Sequence, residues 1–318
     1  MIRTRHIAAF GAVVAVLTQW ATAPSARPRP DGQDTIVTGN PAPTADQVQS
    51  LILRAVENQH RNDIASEQFE RVERVVTHKP GENSDLVSDR TERIVPFGTG
   101  IVKLQMAENG SPVSSELYRS ELQFAYNTLD LAIHPNDRSK QDLVKFEKRR
   151  RERAELVDSS VKAFRITWAG RETRPDSTAA HGSRTLAKFL LEPDPNYKPT
   201  DRLAVTFEHV HATLWVDEPQ AQIARVEGDI ASDVTFGGGI AGKIYRGGHF
   251  VMEQTEVAPG VWLPTLLTYD VDGRKFLFGF GVHERTEITK YRRVGPPAQA
   301  IELIRNELNN LQAETPAH

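Results

Sequence analysis

The sequence predicts a mainly β fold of the α+β kind, built on an antiparallel sheet. Three observations carry this. From about Ala187 to Val294 the chain reads as short runs of strand character, at 186–191, 203–210, 212–217, 222–229, 249–257, 261–269, 274–282 and 283–292. Turn-formers separate the runs: Pro193-Asp194-Pro195, Glu218-Pro219, Gly237-Gly238-Gly239, Ala258-Pro259-Gly260 and Asp272-Gly273. Short strands at regular spacing with turn chemistry between them define an antiparallel sheet or barrel. Finally, helical periodicity is confined to the flanks and to one insertion.

In chain order, the first element is an export signal. Arg3 and Arg5 precede an apolar stretch at 7–17, and small residues follow at Ala21, Ala23, Ser25 and Ala26. This is signal-peptide architecture, with cleavage expected near residue 26. The apolar stretch is shorter than the ~20 residues a membrane span needs, and no other segment is a candidate. Residues 27–43, rich in Pro, Gly, Asp and Thr, read as a flexible linker.

Thr44 then opens a helix, with Gln47 as its capping-box partner. Val48, Leu51, Ile52, Ala55 and Val56 give that helix one apolar face, which must lie on the sheet. Strands are expected at 68–78, 88–96 and 100–107, with a turn at Lys79-Pro80-Gly81-Glu82-Asn83 and another at Asn109-Gly110. Ser114 caps a helix that begins at Ser115. A charged helix covers about 139–160. Its cluster Lys148-Arg149-Arg150-Arg151 with Arg153 is interleaved with Glu147, Glu152, Glu155 and Asp158, which marks a solvated face and not a nucleic-acid site. Phe164, Ile166 and Trp168 alternate as a further strand. Pro296-Pro297 end the ladder, and 298–312 forms an amphipathic helix on Ile301, Ile304, Leu308 and Leu311. The expected organisation is therefore a signal peptide at 1–26, a linker at 27–43, one domain at 44–294 with a helical insertion at about 114–160, and a C-terminal helix and tail at 295–318.

Composition narrows the chemistry. The chain has 318 residues, a net charge of -3 and no cysteine. Disulfides, thiolate catalysis, thiolate metal sites and a lipidated N-terminal cysteine are thereby excluded. The charge gives no nucleic-acid footprint.

The candidate motifs are few. The segment from Gly237 to Lys243 carries glycines and a lysine at phosphate-loop and dinucleotide-fingerprint positions. However, Ile244 stands where magnesium needs a hydroxyl, and Tyr245-Arg246-Gly247-Gly248 do not start a helix. A glycine turn is expected instead, and no cofactor is assigned. His209 and His211 flank Val210 on an expected strand, where alternation puts them on one side. With His249 or His283 they would make a metal or hydrolase site, so that reading stays open as an alternative. His283-Glu284 lacks the second histidine of a zinc-protease helix, and no Gly-x-Ser-x-Gly elbow occurs. No catalytic or metal residue is therefore assigned.

Phe276, Phe278 and Phe280 form the sharpest pattern. Alternation on one strand puts all three on one face, and Trp215, Phe250, Met252 and Trp262 can join them. A curved sheet with an aromatic concave face can hold an acyl chain, each buried methylene contributing ~0.8 kcal/mol.

Leu214-Trp215-Val216-Asp217 followed by Gln222-Ile223-Ala224-Arg225-Val226-Glu227, and Gly260-Val261-Trp262-Leu263-Pro264 leading into Asp272-Gly273-Arg274, resemble the hairpins of the periplasmic outer-membrane lipoprotein-sorting (LolA-like) family. The resemblance is clearest over 186–291. It implies an unclosed half-barrel of curved antiparallel sheet, with helices packed on the concave side around an apolar cavity. It also implies a periplasmic, non-catalytic protein that holds a lipid or lipoprotein acyl chain, as a carrier in envelope lipoprotein sorting. The alternative within such half-barrels is an envelope interaction or stress-sensing module, binding a protein partner through the sheet and the 298–312 helix.

Overall fold

The structure is a computed structural model. It describes residues 41–313, apart from 80–84, 177, 179–181, 201–202, 238, 240 and 277. The expected signal peptide, most of the linker, the turn at 80–83 and the tail beyond 313 lie outside the described residues.

Helix α1 (Ala45–Ser66) opens the domain and is closed at its start by the expected capping box, Thr44 and Gln47 satisfying each other's backbone N–H groups. Strands β1 (Phe69–His78), β2 (Leu86–Pro96), β3 (Ile101–Glu108) and the two-residue β4 (Ser111–Pro112) follow. The insertion is a pair of helices, α2 (Ser115–Ile133) and α3 (Asp137–Ala163), capped by Ser114 and Asn136. Strands β5 (Phe164–Pro175) and β6 (Ser183–Pro193) lead to a short 3-10 helix (Ala204–His209). Then come β7 (Val210–Asp217), β8 (Gln222–Ile230), β9 (Val234–Phe236), β10 (Gly242–Ile244), β11 (His249–Ala258), β12 (Val261–Lys275), β13 (Phe278–Arg293) and α4 (Pro297–Ala313).

The strands form one antiparallel sheet in the order β4-β3-β2-β1-β13-β12-β11-β8-β7-β6-β5, with β10 paired to β12 and β9 to β10. The sheet does not close, since β5 and the β3–β4 end remain edges. It is a mainly β, unclosed half-barrel.

Register shows what each face is made of. Partners in successive strands run Trp168, Phe189, Leu214, Val226, Met252, Leu267, Thr286, Val75, Arg90. Cross-strand partners share a face. That face is therefore apolar from β5 to β12 and turns polar at β13, β1 and β2. Helix α1 covers its apolar part, burying Leu51, Ile52 and Ala55 against Phe189, Leu214 and Val216. Buried Leu and Ile side chains contribute roughly 1.5–3 kcal/mol each. Two buried asparagines pin the helix. Asn58 Nδ2 donates to the carbonyls of Gln220 and Ala221 at 2.9 and 2.7 Å, and Asn62 Nδ2 donates to Gln222 Oε1 at 2.8 Å.

Helices α2 and α4 lie elsewhere. They pack Leu122, Ala125, Leu129, Ile301 and Ile304 on Val95, Val102 and Leu104. Val95 and Leu104 alternate with Ile94 and Lys103, which belong to the first face through the pairing Arg71–Ile94–Lys103. Helices thus cover both faces, one pair at each end, and only α1 and α3 occupy the position expected of all of them.

Three strand expectations also change. Residues 203–210 are mostly a 3-10 helix, because the apolar residues Ala204 and Phe207 fall three apart and are buried from one side. The segments at 261–269 and 274–282 are not divided by a turn at Asp272-Gly273. Strand β12 runs straight through, and the chain reverses after Lys275. Gly273 serves close packing instead: a Cβ there would come within 2.5 Å of both the Lys243 carbonyl and the Phe280 ring. Likewise 274–282 and 283–292 are not two strands, since β13 is continuous from Phe278.

Candidate functional site: an apolar cavity between two helices and the sheet

The first face carries a cavity of about 160 Å³. Helix α1 contributes Ile52, Ala55, Val56 and Gln59, and α3 contributes Leu156, Val157, Ser160 and Val161. The floor comes from Phe164, Ile166 and Leu191, from Phe207, and from the central strands: Val210, Ala212 and Leu214, Phe250 and Met252, and Ile223 and Val226, which a bulge in β8 brings to the same face. The spacing by two along β7 and β11 is the pleat presenting one face. Phe164 and Phe207 meet edge to face, their rings 5.5 Å apart, and close one side. Among the described residues, only Gln59 and Ser160 bring polar side chains to the lining.

Polar contacts join the two helices at the rim. His60 Nε2 lies 2.8 Å from Asp158 Oδ1, and Arg150 Nε lies 3.6 Å from Glu67 Oε1. Beneath them Gln254 Nε2 donates to Gln59 Oε1, and Gln59 Nε2 donates to Asp63 Oδ1, each at 2.9 Å. Burial raises the Asp63 carboxyl above its usual range, against the opposing pull of Gln59, Arg153 and His60.

The sequence-predicted lining residues separate into three groups. Phe250 and Met252 line the cavity. Phe280 packs at the edge of the adjoining cluster of Phe236, Ile244, Tyr269 and Val271. Trp215 and Trp262 are on the opposite face, buried together with Leu186 and Ala224. Phe276 and Phe278 are at the tip of the β12–β13 hairpin, 56% and 79% exposed. The three phenylalanines do not share a strand face, because the chain turns at Phe276.

Trp215 belongs to a charged assembly. Its Nε1–H donates to Glu172 Oε2 at 3.0 Å, and Lys188 Nζ and Arg174 Nη1 donate to the same carboxylate at 3.0 and 2.7 Å. Arg174, Lys188 and Arg225 surround the indole ring at 5.2–5.5 Å. Burial raises the Glu172 carboxyl, but the three donors outweigh it and hold the group below the usual carboxylate range. A folded-state value below the unfolded one stabilises the fold above the ordinary carboxylate range, and the benefit is lost as pH falls through the folded value. Glu172→Gln should therefore cost about 2 kcal/mol at neutral pH. The gap to wild type should close in urea titrations below roughly pH 4.

His211, His249 and His283 fall in one cross-strand row, separated by Asp229 and Asp270, so each histidine faces an aspartate and not another histidine. His209 ends the 3-10 helix, with Nδ1 2.7 Å from Ser232 Oγ, so the shared strand face that a His209–His211 site requires is not formed. His249 Nδ1 lies 2.8 Å from Asp229 Oδ1, and His283 Nδ1 lies 2.6 Å from Asp270 Oδ1. Among the described residues no group of three or more potential ligands is placed to hold a metal ion. Of the glycine-rich stretch, Gly242 and Lys243 lie in β10, which pairs antiparallel with β9 and is followed by strand β11 and not by a helix, while Gly238 and Ile240 lie outside the described residues.

The charged cluster of α3 marks its solvated face and gives no sign of the α3 contribution to the cavity. The signal for it is Leu156, Val157, Ser160, Val161 and Phe164, an apolar stripe confined to the last two turns. Comparison with family models, with curated proteins and with solved structures finds no match to this chain.

Proposed function

We propose that this chain is an exported envelope protein that holds one apolar chain, the acyl chain of a lipid or lipoprotein, in the cavity between α1, α3 and the sheet. It performs no covalent chemistry. The observation that carries this reading is the cavity itself, with apolar walls from two helices and five strands. The hairpins resembling lipoprotein-sorting proteins and the export signal support a periplasmic setting.

The size of the cavity dictates how it would work. A space near 150 Å³ accommodates a benzene-sized group. A longer chain therefore requires α3 to move. Helix α1 is pinned through Asn58 and Asn62, whereas the polar links from α3 to α1 include the partly exposed pairs His60–Asp158 and Arg150–Glu67. Such pairs contribute only ~0–1 kcal/mol each. Opening at α3 is thus the cheaper movement, with the α3–β5 junction as hinge.

Native mass spectrometry of protein purified from an envelope extract should show a bound lipid, and fluorescent acyl probes should compete with it. Protein that carries no lipid and takes up no probe would end this reading. A second reading, as a protein-interaction module, draws on Leu117, Phe124 and Leu131, exposed at seven-residue intervals along α2. One stoichiometric protein partner recovered without lipid would favour it.

A further inference from the structure

The tip of the β12–β13 hairpin combines features that the fold itself does not use. Phe278 is 79% exposed and Phe276 56%, while Tyr245 stands exposed on the neighbouring segment. Phe276 also has φ = 54°, in the left-handed region. Glycine or asparagine would occupy a turn position there without strain, whereas a bulky side chain is an outlier. The fold thus bears a conformational cost to keep a phenylalanine that it leaves largely in water. Exposed rings on a turn of this kind are a binding feature, not a packing one.

The surrounding charges say what they face. Lys243 is the cross-strand partner of Arg274. Lys275 precedes Phe276 directly and pairs with Phe278. Exposed Arg246 adjoins Tyr245, and Lys243 Nζ lies 5.6 Å from the Tyr245 ring centroid. Two carboxylates oppose these four cations. Asp233 pairs with Lys243 at 2.6 Å, and the half-exposed Asp272 lies 3.2 Å from His283 Nε2. The tip is net positive in a chain whose overall charge is -3. Aromatic rings flanked by lysine and arginine suit the headgroup layer of an anionic bilayer, where rings enter the interface and cations meet phosphates.

We propose that this hairpin tip is a membrane-contact site: Phe276 and Phe278 insert at the surface of an anionic lipid bilayer, and Lys243, Arg246, Arg274 and Lys275 hold its headgroups. The inference does not depend on the cavity. It does place a bilayer at the end of the apolar cluster of Phe236, Ile244 and Val271, which runs on to the cavity residues Phe250 and Met252.

The test is co-sedimentation of the purified protein with vesicles of phosphatidylcholine alone, and with one third phosphatidylglycerol added. Binding to the anionic vesicles is expected, weakening as salt rises. The double variant Phe276→Ser/Phe278→Ser should lower vesicle affinity about a hundredfold, tenfold for each ring, which corresponds to partial transfer of each side chain. Lys243→Glu with Lys275→Glu should lower it at least tenfold. The chain has no cysteine, so Phe278→Cys takes an environment-sensitive dye at one position only. Its emission should shift to the blue with anionic vesicles, a readout that does not rely on the double variant folding. No binding, or binding unchanged by the phenylalanine pair, overturns the proposal. So does vesicle-independent self-association that the same variant abolishes, since the tip would then face a second copy. Acyl-probe uptake measured on the same samples separates a failure here from a failure of the cavity reading.

Discussion

Replacing Ala212 by leucine should fill the cavity and lower affinity for an acyl chain about fiftyfold while raising stability. Ala212 lies on β7 between Val210 and Leu214, all three in the cavity lining, and its cross-strand partners are Leu191 and Gly228. Leucine adds three carbon atoms to that face. Each methylene of ligand it displaces forfeits ~0.8 kcal/mol, so three cost about 2.4 kcal/mol. Meanwhile the protein gains the contacts that the void withholds, worth about 1–2 kcal/mol if most of the added volume is accommodated. The opposite signs make the result diagnostic, because a misfolded variant would lose both quantities together. Probe titration and urea unfolding on one preparation measure them. Raised stability with unchanged affinity would show that the chain binds elsewhere. Met252→Ala should behave conversely. It enlarges the space, costs about 2–5 kcal/mol of stability, and leaves binding intact. An aspartate at Phe278, which strand alternation would have made a cavity-breaking change, should leave acyl binding untouched, because that side chain stands at the hairpin tip.

What the sequence makes legible is local. Thr44 with Gln47, Ser114, and the Pro296-Pro297 break mark helix ends because capping and proline chemistry act within a few residues. Alternation along β7 separates Leu214 from Trp215, but it does not say which is inside, since both are apolar. The structure puts Leu214 on the cavity face and Trp215 over Glu172, forty-three positions away in sequence. A tryptophan with its N–H needs such a polar partner, and only the fold supplies it. The phenylalanine row fails for a related reason. Its even spacing is real, but a hairpin reversal at Phe276 cancels it, and the more obvious turn dipeptide Asp272-Gly273 is held inside a strand by the approach of β10. The cavity is less legible still. Its walls come from α1, α3 and five strands, and no short window of sequence contains the fact that α3 returns to the same face as α1.

That division of the helices between two faces sets up the largest stability effect. Arg93→Met should cost about 3–5 kcal/mol and loosen α2 and α4 first. Arg93 on β2 is nearly buried and ties three elements together. Its Nε and Nη2 donate to Glu70 Oε2 of β1 at 3.0 and 2.8 Å, and its Nη1 donates to Glu307 Oε2 of α4 at 2.6 Å. The Tyr118 hydroxyl of α2 accepts from Nη1 at 3.2 Å and donates to Glu307 Oε1 at 2.8 Å. Methionine fills much of the space but leaves Glu70 with Arg292 alone, and removing one partner of a buried ion pair costs several kcal/mol because the other charge stays behind. Lysine should restore little, since a single ammonium cannot span Glu70 and Glu307 as the guanidinium fork does. Adding Glu70→Gln to Arg93→Met should recover part of the loss by removing the stranded charge, a non-additivity that simple loss of packing would not produce. Hydrogen exchange should show α2 and α4 opening before α1. A loss below about 1 kcal/mol would mean that the network is solvated and that the apolar contacts of Val95, Val102 and Leu104 hold the two helices unaided. Acyl binding should survive the substitution, because the cavity lies on the other face of the sheet. If binding fell in step with stability, the two ends of the half-barrel would be mechanically coupled, and α3, which joins α2 to the cavity wall, would be the element that couples them.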